Sequence, residues 1–503
     1  MTVEPRRRPR AFAEDWRAEG TPRPPTTLPN PLGAAGRSQP PSLRPASIGE
    51  RFQRIDLETL AGAPQLDVPG GIDLSPDGRE VAFAWDASGD LEVYTAPLVG
   101  DRIIQLTDAG RRSFAPRWSP DAGWLAFLRD HGDGWARIHL VDRDGEHERA
   151  LTGDEDVAHG EIAWSPDGTR IAYVAARRGG QPVLHVMDVA TGEHHRLGAG
   201  PDSVPRWAPD GRWLLFTTGA AGELALVRPE GGDPRRLDVG PAGGRDARWS
   251  PDGEAIAFSF RDGERSRVAV AHLLEAEVRR VEPFSATPFD DDAPAWRPDG
   301  RGLIYRHRRA GSQSLRRAFT ISHADEAVLD DPGAYHAHAV GPDSETVVAL
   351  LSRSREPADV VVRPRGATTA VRVTRSLPGS IDIGVFVEPA YLEQDGAGAL
   401  VYVPHAEAAG GRPAPVVLSA TGEAPVRSWD ALVQALANQG FAVIVAATVA
   451  TASAVATRLR DEGVAADAQA QQPELIPARM TRRDRIETFK KVLAWAAEEL
   501  TRS

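Results

Sequence analysis

The sequence predicts a mainly β protein: a seven-bladed β-propeller followed by a shortened α/β domain. Three observations predict it. One turn pattern recurs seven times, an alternating apolar strand follows each copy, and beyond Thr374 a strand–helix–strand pattern replaces the repeat.

The copies read Leu74-Ser-Pro-Asp-Gly78, Trp118-Ser-Pro-Asp-Ala122, Trp164-Ser-Pro-Asp-Gly168, Trp207-Ala-Pro-Asp-Gly211, Trp249-Ser-Pro-Asp-Gly253, Trp296-Arg-Pro-Asp-Gly300 and Val340-Gly-Pro-Asp-Ser344. Their prolines are 44, 46, 43, 42, 47 and 44 residues apart, a spacing that fits one propeller blade per copy. Pro presets φ for a type I turn, Asp suits the next position, and Gly takes the left-handed position that closes the hairpin. The Trp before each turn reads as a wedge between neighbouring blades. Blade one opens near Gly70 and blade seven closes near Thr374 with their strands in order, so the ring is expected to close by packing, without a shared strand.

Composition narrows the function. With 71 acidic and 59 basic residues the formal charge is -12, which argues against nucleic acid or an anionic membrane as partner. No cysteine is present, so disulfides, zinc–thiolate sites and a Cys nucleophile are excluded. No apolar run has the length of a membrane span. Residues 1–45, rich in Pro and Arg without a following apolar segment, read as a disordered tail, and the expected location is the cytoplasm. The propeller is expected over 46–375, a linker over 376–384 and the α/β domain over 385–503.

In the last region, strands are expected at 385–387, 399–403, 415–419 and 441–447. A helix with Ser428 as N-cap, one face formed by Trp429, Leu432, Val433 and Leu436, ends at Gly440. Further helices are expected at 453–462 and 483–500.

Ser-Pro-Asp-Gly blades followed by this α/β unit resemble the prolyl oligopeptidase family of serine peptidases, in particular its acylaminoacyl-peptidase and dipeptidyl-peptidase branches. The resemblance covers residues 50–503, including the passage Phe386-Val-Glu-Pro389, Gln394-Asp-Gly396 and Leu400-Val-Tyr-Val-Pro404. It implies a hydrolase domain from which a long segment between Ala447 and Ser453 is missing.

The chemistry of that family needs a nucleophilic Ser on a strained turn, Gly-x-Ser-x-Gly, and a His to take its proton. The chain contains no such pentapeptide, and its last His is His405. Where the resemblance places the oxyanion loop, the chain has Ser419, Ala420, Thr421 and Gly422, a degenerate version. No catalytic residue, cofactor or metal ligand is therefore assigned. His194 and His195 lack a third ligand at metal spacing, Asp290–Asp292 reads as a solvated acidic loop, and Arg306–Arg309 with Arg316 and Arg317 form a basic strip able to meet an acidic partner.

The expected function is non-catalytic binding or assembly, with a protein or peptide as partner. The alternatives are a serine peptidase or esterase whose site is unrecognised or completed by another subunit, and a TolB-like translocation component. The exposed edge of Val416, Val417 and Leu418 is expected either to pair with a weak strand at 464–470 or to receive a partner chain, giving a homo- or hetero-oligomer.

Overall fold

The computed structural model describes residues 43–502 except 44, 101, 133–134, 154–156, 178–179, 199–204, 220–221, 241, 264, 285–289, 321–324, 395, 411–413, 422–423, 462–463 and 472–481. The expected tail therefore lies outside the described residues apart from its last positions.

Seven four-stranded antiparallel sheets follow in chain order, over 72–105, 113–150, 157–198, 206–236, 245–283, 290–329 and 334–372. Each begins with the strand that carries one copy of the repeat. The turn is built as its residues dictate: Ser75 Oγ donates to Asp77 Oδ1 (2.6 Å) and accepts from the Glu80 amide (2.9 Å), while the Gly78 amide donates to the Ser75 carbonyl (2.8 Å). The boxes at Ser119, Ser165 and Ser250 repeat the Ser-to-Asp bond.

The tryptophans are wedges with a polar tip. Nε1 of Trp164, Trp207, Trp249 and Trp296 donates to the carbonyls of Arg117, Ala163, Arg206 and Arg248, each in the preceding blade, at 3.0–3.3 Å. The sixth and seventh copies depart from the pattern together. Arg297, in place of Ser, donates through Nε to the Ser344 carbonyl (3.1 Å), and Ser344 Oγ accepts from the Asp299 amide (3.0 Å). The first and last blades pack directly, Val81 and Phe83 sharing one core with Val348, Leu350 and Val360, and no strand is exchanged between them.

Among the described residues the α-helices are α1 (Leu57–Ala61), α2 (Ala406–Ala409), α3 (Ala431–Asn438), α4 (Val449–Asp461) and α5 (Arg482–Arg502). The second sheet runs Ala390–Gln394, Ala397–Tyr402, Ala442–Ala446, Ala414–Ala420, Ala465–Gln471. Its first strand is 390–394 and not 385–387, because residues 383–385 form a 3-10 turn capped by Asp382, whose Oδ1 accepts from the Gly384 amide. Asp430, not Ser428, caps α3: its carboxylate accepts from the amides of Leu432 (2.9 Å) and Val433 (3.1 Å). Of the two outcomes expected for the edge at Val416–Leu418, the structure contains the internal one. Val416, Val417 and Leu418 pair with Gln469, Ala470 and Gln471 in parallel, and with 442–444 on the other side.

The end of the expected tail and the first residues assigned to the propeller instead run along the α/β domain. Leu43 joins the core of Val455, Leu459 and Val464, and Leu60 joins that of Phe386, Leu432 and Phe489. Asn438 binds both the Ile55 amide and the Gln53 carbonyl. Gln434, fully buried on α3, donates to the carbonyls of Ser354 (2.7 Å) and Val387 (2.9 Å) and accepts from the Val387 amide (2.8 Å). Arg485 on α5 donates to the carbonyls of Ala61 and Ala63 and pairs with Asp86 of blade one at 2.8 Å, both side chains 8% exposed.

Two measurements check this packing. Gly168→Ala forces an L residue to φ 71° with only an ordinary contact to Pro120, costing about 1–2 kcal/mol. Gly78→Ala must cost more in denaturant unfolding, since its Cβ would meet Pro342 Cδ at 2.6 Å; equal or reversed losses contradict the described ring closure. Arg485→Met strands the Asp86 carboxylate and should cost about 3–5 kcal/mol. Lys490→Met breaks only the exposed pair with Glu58 and should change stability by less than about 1 kcal/mol.

Candidate functional site

Two regions hold the residues that chemistry requires. The first is the end of the second sheet where a hydrolase of this fold would react. Ser419 and Ala420 lie within the strand Ala414–Ala420, in register with Val445 and Ala446. Thr421 then turns back: its amide donates to the Ala446 carbonyl (2.9 Å), as does its hydroxyl (3.2 Å). An amide held in that bond is not offered to an oxyanion. Gly422 lies outside the described residues.

His405 precedes α2, edge-on to Phe52 at 6.4 Å between ring centroids. It follows the strand Ala397–Tyr402, which runs antiparallel to Ala442–Ala446, itself parallel to Ala414–Ala420. His405 and Thr421 thus leave the sheet at opposite ends, about 20 Å apart for strands of this length. No proton transfer joins them.

The other sequence candidates resolve into structural pairs. Asp290, Asp291 and Asp292 sit opposite Arg308, His307 and Arg306 across one hairpin. They pair at 3.4, 2.7 and 2.6 Å. The acidic loop and most of the basic strip therefore neutralise each other, a correction to both readings. Arg316 and Arg317 likewise pair with Asp325 and Glu326. His195 Nε2 lies 2.6 Å from the Pro229 carbonyl of the next blade. Among the described residues no cluster of three metal-ligating side chains occurs, and no helix is long and apolar enough to cross a membrane.

The second region is the propeller's central channel, which sequence reasoning left unassigned. The residue before each repeat Trp lines it, and at three blades that residue is Arg: Arg117, Arg206 and Arg248. Asp73 is their counterpart in blade one. All four open onto one cavity of about 590 Å³ rimmed by the prolines of the repeat turns. The innermost strands of blades two, five and six carry bulges before this position, between Phe114 and Arg117, Arg245 and Arg248, and Asp292 and Ala295, with Ala115, Asp246 and Ala293 at φ 50–52°. The Trp wedges fix the carbonyls of these same arginines. The signal was present in the sequence as Arg-Trp in three of the five Trp copies.

Electrostatics in the channel are uneven. Arg117 donates to the carbonyls of Pro116 (2.8 Å) and Gly70 (3.2 Å), and Arg248 to that of Ala247 (3.0 Å). Neither forms an ion pair among the described residues. Burial lowers the Arg248 pKa, with the Asp246 carboxylate opposing and Arg117 adding to the effect. Burial raises that of Asp73, against the pull of Arg117 and the Trp118 amide, which donates to Asp73 Oδ2 at 2.7 Å. In blade seven, burial holds His336 and His338 at about 4, with Arg306 near both; Arg248 lowers His338 further and Asp292 opposes.

These histidines give a pH dependence. Unfolded, each titrates near its ordinary 6.5, so between pH 6.5 and 4 the unfolded chain binds more protons. Their contribution to stability is complete above about pH 6.5 and lost as pH falls toward 4. Thermal unfolding across that range should show a shallower loss for His336→Asn/His338→Asn than for the parent chain; identical slopes contradict the assignment.

Comparison with known proteins agrees with the architecture. Residues 147–342 match the TolB beta propeller domain family. The chain is 28% identical over 293 residues to an uncharacterized protein of Agrobacterium fabrum, covering 54% of this chain and 93% of that one. It is 29% identical over 169 residues to the uncharacterized peptidase YuxL of Bacillus subtilis, covering 31% of this chain and 25% of that one. Among solved structures, a puromycin-hydrolyzing peptidase of Mycobacterium tuberculosis superposes with TM-score 0.66 at 17% identity, over 85% of this chain and 76% of that one. The acylaminoacyl peptidase of Pyrococcus horikoshii gives 0.60 at 14% identity, over 82% and 73%. The chain thus has the propeller-plus-α/β fold of peptidases of the prolyl oligopeptidase and acylaminoacyl peptidase family, with a propeller of TolB type.

Proposed function

We propose that this protein is a non-catalytic binding or assembly module, a propeller carrying a reduced α/β domain, with a protein or peptide partner. The observation that carries the reading is the oxyanion loop: the Thr421 amide is bonded to Ala446, in a chain without Gly-x-Ser-x-Gly and without His beyond His405. Without a base, a Ser hydroxyl at its ordinary pKa is a weak nucleophile. A cytoplasmic location belongs to the same proposal, and the absence of cysteine is compatible with it.

One comparison favours a second reading. The Bacillus relative is described as a peptidase, so a site completed by another subunit would make this chain part of a hydrolase. A TolB-like role draws support only from the propeller match.

Fluorophosphonate labelling of the pure chain, with ester and aminoacyl substrates assayed in parallel, separates these readings. The expected result is no stoichiometric serine labelling and no turnover above buffer. Labelling of one Ser that rises and falls with turnover would return the chain to the active peptidases.

A further inference from the structure

We propose that the repeat-turn mouth of the central channel is a binding site for a phosphate monoester, held by Arg117, Arg206 and Arg248. The inference does not depend on whether the α/β domain is catalytic.

The face is fixed by topology. The α/β domain meets the propeller at Asp86, at Ala310 and Gly311, and at Ser354, each between the second and third strands of its blade. The repeat turns lie between first and second strands, hence on the opposite face. The α/β domain therefore does not cap the mouth that carries the arginines.

The chemistry of the mouth is that of an anion receptor. Arg117, Arg206 and Arg248, from three blades, line one cavity together with the carboxylate of Asp73, which already accepts from the Trp118 amide, while the Asp246 carboxylate acts on Arg248 from beside it. Several propeller arginines pair with carboxylates, as at Arg306–Asp292, Arg129–Glu148 and Arg372–Glu356. Arg117 and Arg248 instead turn one nitrogen to backbone carbonyls, and a guanidinium has five N–H donors. Their donors face an open-mouthed cavity of about 590 Å³, a volume within the range of small-molecule sites.

The same features favour a phosphate monoester over other anions. It carries a charge of about -1.5 to -2 near neutrality and three strong acceptor oxygens, one for each guanidinium. A carboxylate offers two oxygens in one plane and a single charge. Outside the arginines, the rim of Pro120, Pro166, Pro209 and Pro251 supplies apolar surface for the ester's organic group.

Titration calorimetry of the full chain with phenyl phosphate, inorganic phosphate and succinate tests the assignment. Saturable one-to-one binding of phenyl phosphate is expected, weakening with added salt and tighter than succinate. Arg117→Gln and Arg248→Gln should each weaken it by about tenfold or more. Asp73→Asn should tighten it, an effect that a purely structural role for Asp73 does not give. Arg212→Gln, on an exposed side chain outside the cavity, should leave it unchanged. If Arg117→Gln fails to fold by circular dichroism, Arg248→Gln and Asp73→Asn decide the matter. No saturable binding to the parent chain, binding unaffected by Arg248→Gln, or tighter binding of succinate overturns the proposal; binding of inorganic phosphate as tight as the ester removes the role given to the proline rim.

Discussion

The attachment of a small α/β domain to a large propeller turns on one buried ion pair. Arg485 on the last helix reaches Asp86 on blade one while donating to Ala61 and Ala63 on the N-terminal segment. Three stretches far apart in sequence are thereby fixed at one point. Such a pair adds little net stability over an apolar contact, but breaking it is expensive because the remaining charge is stranded. It acts chiefly as a register device: α5 can dock in one position only. Gln434 works in the same way on the other side of the domain, with both ends of its amide satisfied by blade seven and the connecting segment.

Within the propeller the corresponding constraint is the Trp wedge. The indoles of Trp164, Trp207, Trp249 and Trp296 fill space between blades and end on a carbonyl of the preceding blade, so burial and hydrogen bonding specify the same geometry. Where the wedge is missing, other chemistry takes its place. Val340 cannot donate, and Arg297 reaches to the Ser344 carbonyl instead. Substitutions that look like decay in the sixth and seventh copies are complementary when placed side by side. Ser344 holds the left-handed position at φ 61° despite its side chain, and its hydroxyl gains the Asp299 amide in return.

Repetition made the blades legible in the sequence, because a turn whose Ser, Asp and Gly each have a local role announces itself without tertiary information. Boundaries set by tertiary contact were not legible. Nothing local distinguishes Ser428 from Asp430 as a cap; the carboxylate prevails by reaching two amides. Residues 43–63 look like an approach to the first blade, yet Leu43 and Leu60 are apolar residues whose burial is supplied by helices some four hundred positions later. The charge strips misled for the same reason: Asp290–Asp292 and Arg306–Arg308 read as solvated runs until the hairpin sets them opposite each other. At the channel, the Arg-Trp dipeptides were visible, but only the closed ring shows that their arginines converge.

The two faces of the propeller are therefore chemically unequal. On the α/β side, polar groups are consumed by docking: Arg427 by Ala310 and Gly311, Glu388 by Ser354, Thr421 by Ala446. On the repeat-turn side, the inner strands of blades two, five and six carry bulges with left-handed non-glycine residues, whether the residue before the Trp is Arg117, Arg248 or Ala295. Strain of that kind costs on the order of 1–3 kcal/mol per residue and persists only where the surrounding fold enforces it. A repeat selected for packing alone would place Ala at these positions, as the third and sixth blades do with Ala163 and Ala295. The three arginines thus stand where the scaffold does not require charge, on the face that the α/β domain leaves uncovered.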